Sequence, residues 1–331
     1  MPWTAAAAGL LPFATMAART PESLLEKVFP PMLATLVEAL PPQHPESAWT
    51  LELKYDGFRA LASILDGKVA MWTRNGLDLC GRFPTVAAAL GKVRAPEVVV
   101  DGEIVVLDAA GVSRFQLLAG GEGSTAVLFV FDLLWLDGKD ARALPLEERR
   151  HLLEKLLKKA PPGIQLSERV EGPSAEALAR VAKDGHEGLI AKRNGSVYTA
   201  KRSRDWLKLK AHAGQELAIV GFTPNKGYVG QVGALLLAYS EGGKLHFAGK
   251  VGTGMGQKLS RELFERLGKD AVEKPTAEGA PRMRDATWVK PKLVAEVQFT
   301  EWTKDRKLRH PSFQGLRPDK KPLDCVIEKK S

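Results

Sequence analysis

Short apolar runs broken by tight turns fill most of this chain, and runs of that length and spacing read as strands of small antiparallel sheets. Phe58 to Ile64 and Val69 to Thr73 flank Asp66-Gly67, a strong hairpin signal because such a turn needs positive φ at both positions. Val98 to Val100 and Ile104 to Leu107 flank a second Asp-Gly pair, Asp101-Gly102, which predicts another turn. Val127 to Leu136 is an apolar run that reads as a buried strand. Pro145 opens a helix with Leu146, Leu152, Leu153, Leu156 and Leu157 along one broad face. A second helix, over about Ser174 to Lys183, stops at Gly185, and strands follow at Glu187 to Lys192 and Trp206 to Lys210.

The pattern changes near Ala211 to Gln215. Beyond it come strand-like runs at Glu216 to Phe222, Ala234 to Tyr239, Leu245 to Val251 and Leu293 to Phe299, with one helical patch at Ser260 to Leu267. That content fits a small Greek-key barrel of the oligonucleotide-binding kind. A length of 331 residues suits two domains. We divide the chain into an N-terminal extension, expected to be flexible, at 1–28, a first domain at 29–212 and a barrel at 213–331. Met16 offers an alternative start within the alanine-rich extension. No apolar run approaches the length needed to cross a bilayer, so no membrane association is expected. Two cysteines, Cys80 and Cys325, are too few for a four-ligand zinc site and suit a reducing compartment. The formal charge is +9, and thirteen Lys/Arg against seven Asp/Glu from Arg282 onward place most of that excess in the last fifty residues. Clustered basicity is the footprint of a phosphate-backbone partner, although a solvated basic face gives the same count.

In Thr50-Leu-Glu-Leu-Lys-Tyr55 the alternation puts Glu52 and Lys54 on one strand face and Leu51, Leu53 and Tyr55 on the other, just before a turn at Asp56-Gly57. An amine beside a carboxylate and backed by apolar residues can serve as a covalent nucleophile; a surface lysine on an edge strand is the plainer alternative. In Trp206-Leu-Lys-Leu-Lys210, Trp206, Lys208 and Lys210 share a face. Two lysines about 7 Å apart on one side of a strand suit a polyphosphate and would depress the pKa of a nearby amine. Glu187 enters the apolar run Gly188 to Ala191, and strict alternation puts Lys192 on the opposite face unless a bulge intervenes, so Glu187 is the stronger site candidate. Glu103 suits a ribose hydroxyl or a metal; Phe131 is either core or a platform for a base. No Gly-rich phosphate loop of the Walker type is present, which argues against a P-loop mechanism.

Taken in order, these segments resemble the nucleotidyltransferase motifs of ATP-dependent DNA ligases, from about Pro31 to the C-terminus. The matching stretches are Lys54-Tyr-Asp-Gly-Phe-Arg59, Thr73-Arg-Asn-Gly76 with Gly81-Arg-Phe-Pro84, Asp101-Gly-Glu103, Phe131-Asp-Leu-Leu-Trp-Leu-Asp-Gly138 with Arg149-Arg150, Glu187 to Lys192, Ala200 to Lys210, and Arg317-Pro-Asp-Lys320. Pro31-Met-Leu-Ala-Thr35 and Leu308 to Arg317 are most similar to the ligase module of bacterial end-joining ligases. Asp305-Arg306 stands where those relatives often have Asp-Gly, and the stretch after Leu118 is unlike theirs.

The resemblance implies an α+β chain: an ATP-grasp-like adenylation domain of antiparallel sheets with flanking helices, followed by an OB-fold barrel. It implies attack of Lys54 on ATP, transfer of AMP to the 5′-phosphate of nicked or broken duplex DNA, and sealing by the 3′-hydroxyl. Lys208 and Lys210 would hold the α-phosphate, and Glu187 with Asp56 would support Mg²⁺ or Mn²⁺. Glu103 would read the ribose, Phe131 would stack on adenine and Glu52 would sit at its edge. Arg59 and Arg74 would contact ribose or the nick phosphate; Arg74, Arg202 and Lys250 would meet DNA. Arg317, Asp319 and Lys320 would orient pyrophosphate in the first step only, with a hinge near Ala211 to Gly214. A monomer in a prokaryotic cytoplasm, associated with the nucleoid, and a Ku-like partner are further expectations. An mRNA-capping guanylyltransferase and a non-catalytic DNA-binding relative are the alternatives.

Overall fold

The structure is a computed structural model that describes residues 19–119 and 123–328. The first 18 residues of the expected extension, and residues 120–122 of the unusual stretch after Leu118, lie outside the described residues.

Two sheets build the first unit. The larger runs in the order Lys68–Thr73, Phe58–Leu65, Glu97–Val105, Val127–Leu136 and Lys139–Asp140, with Ile164–Leu166 added parallel to Val127–Leu136. The smaller orders Leu33–Leu36, Arg202–Lys210, Gly188–Arg193 and Trp49–Leu53. The hairpin at Asp66-Gly67 forms as expected, with φ of 49° and 78°. Helices Leu146–Leu157 and Ser174–Lys183 form where their apolar faces predict, and Gly185 closes the second with φ of 85°.

Two expectations fail. Asp101-Gly102 is not a turn: Glu97–Val105 passes through it as one strand, with a register break against Val127–Leu136. A Cβ at Gly102 would lie 2.6 Å from the Phe129 carbonyl oxygen, so glycine permits close strand approach here rather than chain reversal. Asp101 is fully buried and accepts from Arg59 and Tyr198. The second concerns the end of the expected flexible extension, residues 21–28. Pro21–Val28 is a helix with a Thr20/Ser23 capping box, and its Leu24, Leu25 and Val28 are wholly buried against Leu61 and Ala70 of the first hairpin. Each leucine gains roughly 1.5–3 kcal/mol by leaving water, enough to dock a two-turn helix that would not persist alone.

Lys210 ends the last strand of the first unit and Ala213 begins the barrel. Ala213–Pro224 is long enough to pair with Val232–Glu241, Thr287–Val289 and Val294–Phe299. It changes register at Gly221, where a Cβ would meet the Thr287 carbonyl at 2.7 Å. Lys244–Val251 and Ser312–Leu316 extend the sheet on either side, and Gln257–Gly268 plugs the core through Leu263 and Leu267. This is the expected α+β architecture with a barrel of the OB kind. At Asp305-Arg306 the departure is local: Arg306 takes φ of 53° in the turn, a position where glycine carries no steric cost, and its guanidinium pairs with Glu241. The two units touch: Asn75 donates to the Asp319 carbonyl at 2.7 Å, and Gln116 donates to Gln314 at 2.8 Å.

Candidate active site

Lys54 stands just past Trp49–Leu53, its backbone still donating to the Gly188 carbonyl at 3.0 Å. Gly188 has φ of 147°, and a Cβ there would sit 2.1 Å from the Leu209 carbonyl oxygen, so only glycine fits. That backbone breaks the alternation before Gly188–Arg193 and brings Glu187 onto the face of Ile190 and Lys192. Glu187 forms an ion pair with Lys54, and all four residues line one cavity. Lys192, set aside in the sequence reading, therefore belongs to the site: its amine donates to the Phe131 carbonyl at 2.7 Å and pairs with Glu52 at 3.0 Å. Strict alternation ranked it below Glu187; the break in strand phase that the sequence left open occurs at Gly188.

Glu52 is 2 % exposed and held by Arg150 and by Ser167, whose hydroxyl donates to it at 2.9 Å. Arg149, next to Arg150 on Leu146–Leu157, grips buried Asp132 through both carboxylate oxygens, at 2.7 and 3.0 Å. One helical turn thus fixes both Glu52 and the strand that carries Phe131. The Phe131 ring meets Trp206 edge to face at 6.0 Å and lines the cavity together with Leu33, Ala34 and Ile190. Arg59 lies over Phe131 at 4.8 Å; its Nε and one terminal nitrogen bond Asp101 at 2.5 and 2.6 Å, so it is first a structural clamp.

Burial is the largest influence and pushes the Lys54 amine toward the neutral form, but the charge and hydrogen bond of Glu187, with the charge of Asp56, together leave the pKa raised. The depressed lysine expected from the lysine pair is therefore not found here, because the nearest charge is negative. Burial first and Glu187 second push Asp56 up to about 6, and burial pushes Glu103 up to about 7. Arg74, Arg202, Lys208 and Lys210 also line the cavity; Lys250 does not, lying exposed on Lys244–Val251.

The barrel closes over this cavity. Arg317 bonds Asp319 through two nitrogens, at 2.9 and 2.8 Å, and reaches Glu216 and Glu296 at 3.3 and 3.2 Å; Lys320 donates to Glu216 at 2.7 Å. Glu216 and Glu296 are register partners on adjacent strands, an arrangement that repels unless cations intervene. Sequence reasoning missed both, although each is a lone carboxylate inside an apolar run, which is a usable signal. Burial works against ionisation of Glu216, but Lys320 and Arg317 hold its carboxyl well below the usual range; burial and Glu216 push Glu296 up to about 8. A carboxyl that keeps its proton in the fold up to about pH 8, and loses it near 4.5 when unfolded, makes the folded state progressively less favoured as pH rises between those values. Glu296→Gln is therefore expected to flatten the decline of Tm between pH 5 and 8 in thermal unfolding without nucleotide. An unaltered slope would mean that Glu296 is ionised throughout.

A last carboxylate was also missed. Glu328 pairs with Lys208 and, at 3.3 Å, with Lys210, whose amine also donates to the Gly214 carbonyl at 2.7 Å. Burial opposes its charge, yet the two lysines hold Glu328 down at about 2.

An adenylation-type fold with a closing barrel, and a cavity joining a lysine to carboxylates, an aromatic wall and paired lysines, define the covalent nucleotidyltransferase class. The family model described as "ATP dependent DNA ligase domain" matches residues 31–210, and that for "ATP dependent DNA ligase C terminal region" matches 229–320. The chain belongs to the ATP-dependent DNA ligase family. It is 40 % identical over 310 residues to the multifunctional non-homologous end joining protein LigD of Pseudomonas aeruginosa, covering 90 % of this chain and 36 % of that one. It is 38 % identical over 288 residues to the multifunctional non-homologous end joining DNA repair protein LigD of Mycobacterium tuberculosis H37Rv, covering 85 % and 38 %. The chain therefore spans little more than a third of the length of these relatives. A solved structure of mycobacterial DNA ligase D complexed with ATP and MES superposes with a TM-score of 0.69 at 37 % identity, covering 90 % of this chain and 98 % of that one.

Proposed function

We propose that this chain seals nicks or breaks in duplex DNA through a lysyl-AMP intermediate on Lys54. The observation that carries the reading is one cavity in which Lys54, Glu187, Lys208 and Lys210 meet Arg317, Asp319 and Lys320 of the barrel. The Lys54 nitrogen attacks the α-phosphorus of ATP, and the bond to pyrophosphate breaks; Arg317 and Lys320 receive the charge that develops there. Lys208 and Lys210 hold the α-phosphate, Phe131 and Trp206 wall the base, and Glu103 faces the ribose. Lys54 must shed a proton before it attacks, and Glu187, already paired with it, is placed to take that proton.

A divalent cation fits these residues. Burial first and the neighbouring Glu187 charge second raise Asp56, so a cation between the two carboxylates would relieve that repulsion. Among the described residues no cluster of three or more His, Cys, Asp or Glu could hold a metal unaided. That suits Mg²⁺ or Mn²⁺ bound by one or two carboxylates together with substrate phosphates. Its chemistry would be neutralisation of charge on the α-phosphate. Arg74 and Arg202, which line the cavity, and Lys250 on the barrel are assigned to DNA phosphates; the likeness to end-joining proteins supports a role in break repair, and a Ku-like partner is proposed with it.

The test is incubation with α-labelled ATP and a nicked duplex. Label recovered on the Lys54 peptide, and a sealed strand, are expected; labelling by GTP with none by ATP would overturn the reading.

A further inference from the structure

Glu328 occupies a place that a nucleotide phosphate would need. After the 3-10 turn Pro322–Asp324 the chain runs beside Val232–Glu241, with Val326 bridging to Ser240. Gln215, 4 % exposed, clasps this segment: its side-chain nitrogen donates to the Val326 carbonyl at 3.1 Å, and its oxygen accepts from the Glu328 backbone at 3.5 Å. The clasp delivers the Glu328 carboxylate from the barrel onto two amines of the adenylation unit. An incidental surface pair does not describe this contact, because the side chains of Lys208 and Lys210 are only 14 % and 15 % exposed and one carboxylate bridges both. Lys208 and Lys210 line the same cavity as Lys54; Lys54 takes its counter-charge from Glu187, and the other two amines take theirs from Glu328. A phosphoryl group would make the same two contacts, and both anions cannot occupy that place at once.

We propose that Glu328 is an internal stand-in for the α-phosphate of ATP, which latches the barrel onto the lysine pair and is displaced when nucleotide binds. This rests on the reading of Lys208 and Lys210 as the phosphate-holding pair. Competition from within the chain lowers apparent affinity by the fraction of molecules whose site is free. Removing the charge at position 328 removes the competitor and leaves the lysines to the substrate.

The experiment is self-adenylation of the full chain over a titration of ATP, for the unmodified protein, Glu328→Gln, Glu328→Ala and Lys208→Ala, with thermal unfolding of each as the check on folding. Both Glu328 variants are expected to lower the KM for ATP severalfold, and by similar factors, since the charge and not the side-chain volume is the agent. If Lys208→Ala loses adenylation while Glu328→Gln leaves KM unchanged, the stand-in is wrong. A raised KM in Glu328→Gln would also overturn it, by showing that Glu328 assists the nucleotide. If Lys208→Ala adenylates normally, the phosphate-pair reading beneath the proposal fails instead.

Discussion

Lys54→Ala is expected to abolish transfer of labelled AMP to the protein and, with it, nick sealing from ATP, a loss on the order of 10⁴-fold or more for removal of a covalent nucleophile. The structure adds a complication, because Lys54 is also the ion-pair partner of Glu187, and alanine strands that carboxylate. Both side chains are about one-fifth exposed, so solvent softens the penalty, and the variant should remain folded. Lys54→Arg separates the two roles. Arginine keeps a cation opposite Glu187, but its guanidinium stays protonated and offers no nitrogen lone pair for attack. The expected result is thermal stability near that of the unmodified protein with no adenylate. Sealing of a nick that already carries the 5′-adenylate should survive to a measurable degree in both variants, since that step no longer needs the nucleophile. Adenylate formation by either variant would remove Lys54 from the mechanism.

What could be read in the sequence follows a physical line. Local signals served well: the Asp66-Gly67 turn, the leucine face after Pro145 and the shared face of Lys208 and Lys210 each depend on residues within a few positions of one another. Predictions failed where distant contacts overrode a local preference. Asp101-Gly102 has the composition of a turn, but a buried Arg59 partner and close approach of Phe129 hold it in a strand. Pro21–Val28 looked like part of a loose leader because its apolar residues have meaning only against Leu61 and Ala70. In the site, the segments that resemble the family's motifs pointed to Lys54, Glu187 and Arg317. Lys192, Glu216, Glu296 and Glu328 escaped because each gains its role from a partner on another element. Glu216 and Glu296 are the instructive pair: two carboxyls register across a ladder only where their repulsion is relieved, and here Lys320 and Arg317 keep Glu216 ionised while Glu296 keeps its proton.

The same network sets the second large effect. Asp319→Ala is expected to cut adenylation by ATP by about 10²- to 10³-fold, the scale for misplacing a group that orients a reacting centre, while sealing of pre-adenylated nicks falls far less. Asp319 holds two of the Arg317 nitrogens, and without it the guanidinium is left to Glu216 and Glu296 on the barrel strands. Arg317 would then tilt away from the leaving pyrophosphate. The backbone contact from Asn75 to the Asp319 carbonyl does not depend on the side chain, so the barrel should still close. Asp319→Asn, of the same size, keeps a hydrogen-bond acceptor for Arg317 but not the charge, and an intermediate loss of adenylation is expected from it. The two assays share protein and metal, and only the first requires pyrophosphate to leave. Equal losses in both would mean that Asp319 supports the fold or the DNA complex and has no step of its own; a selective loss places the barrel's contribution in the first chemical step, before DNA is engaged.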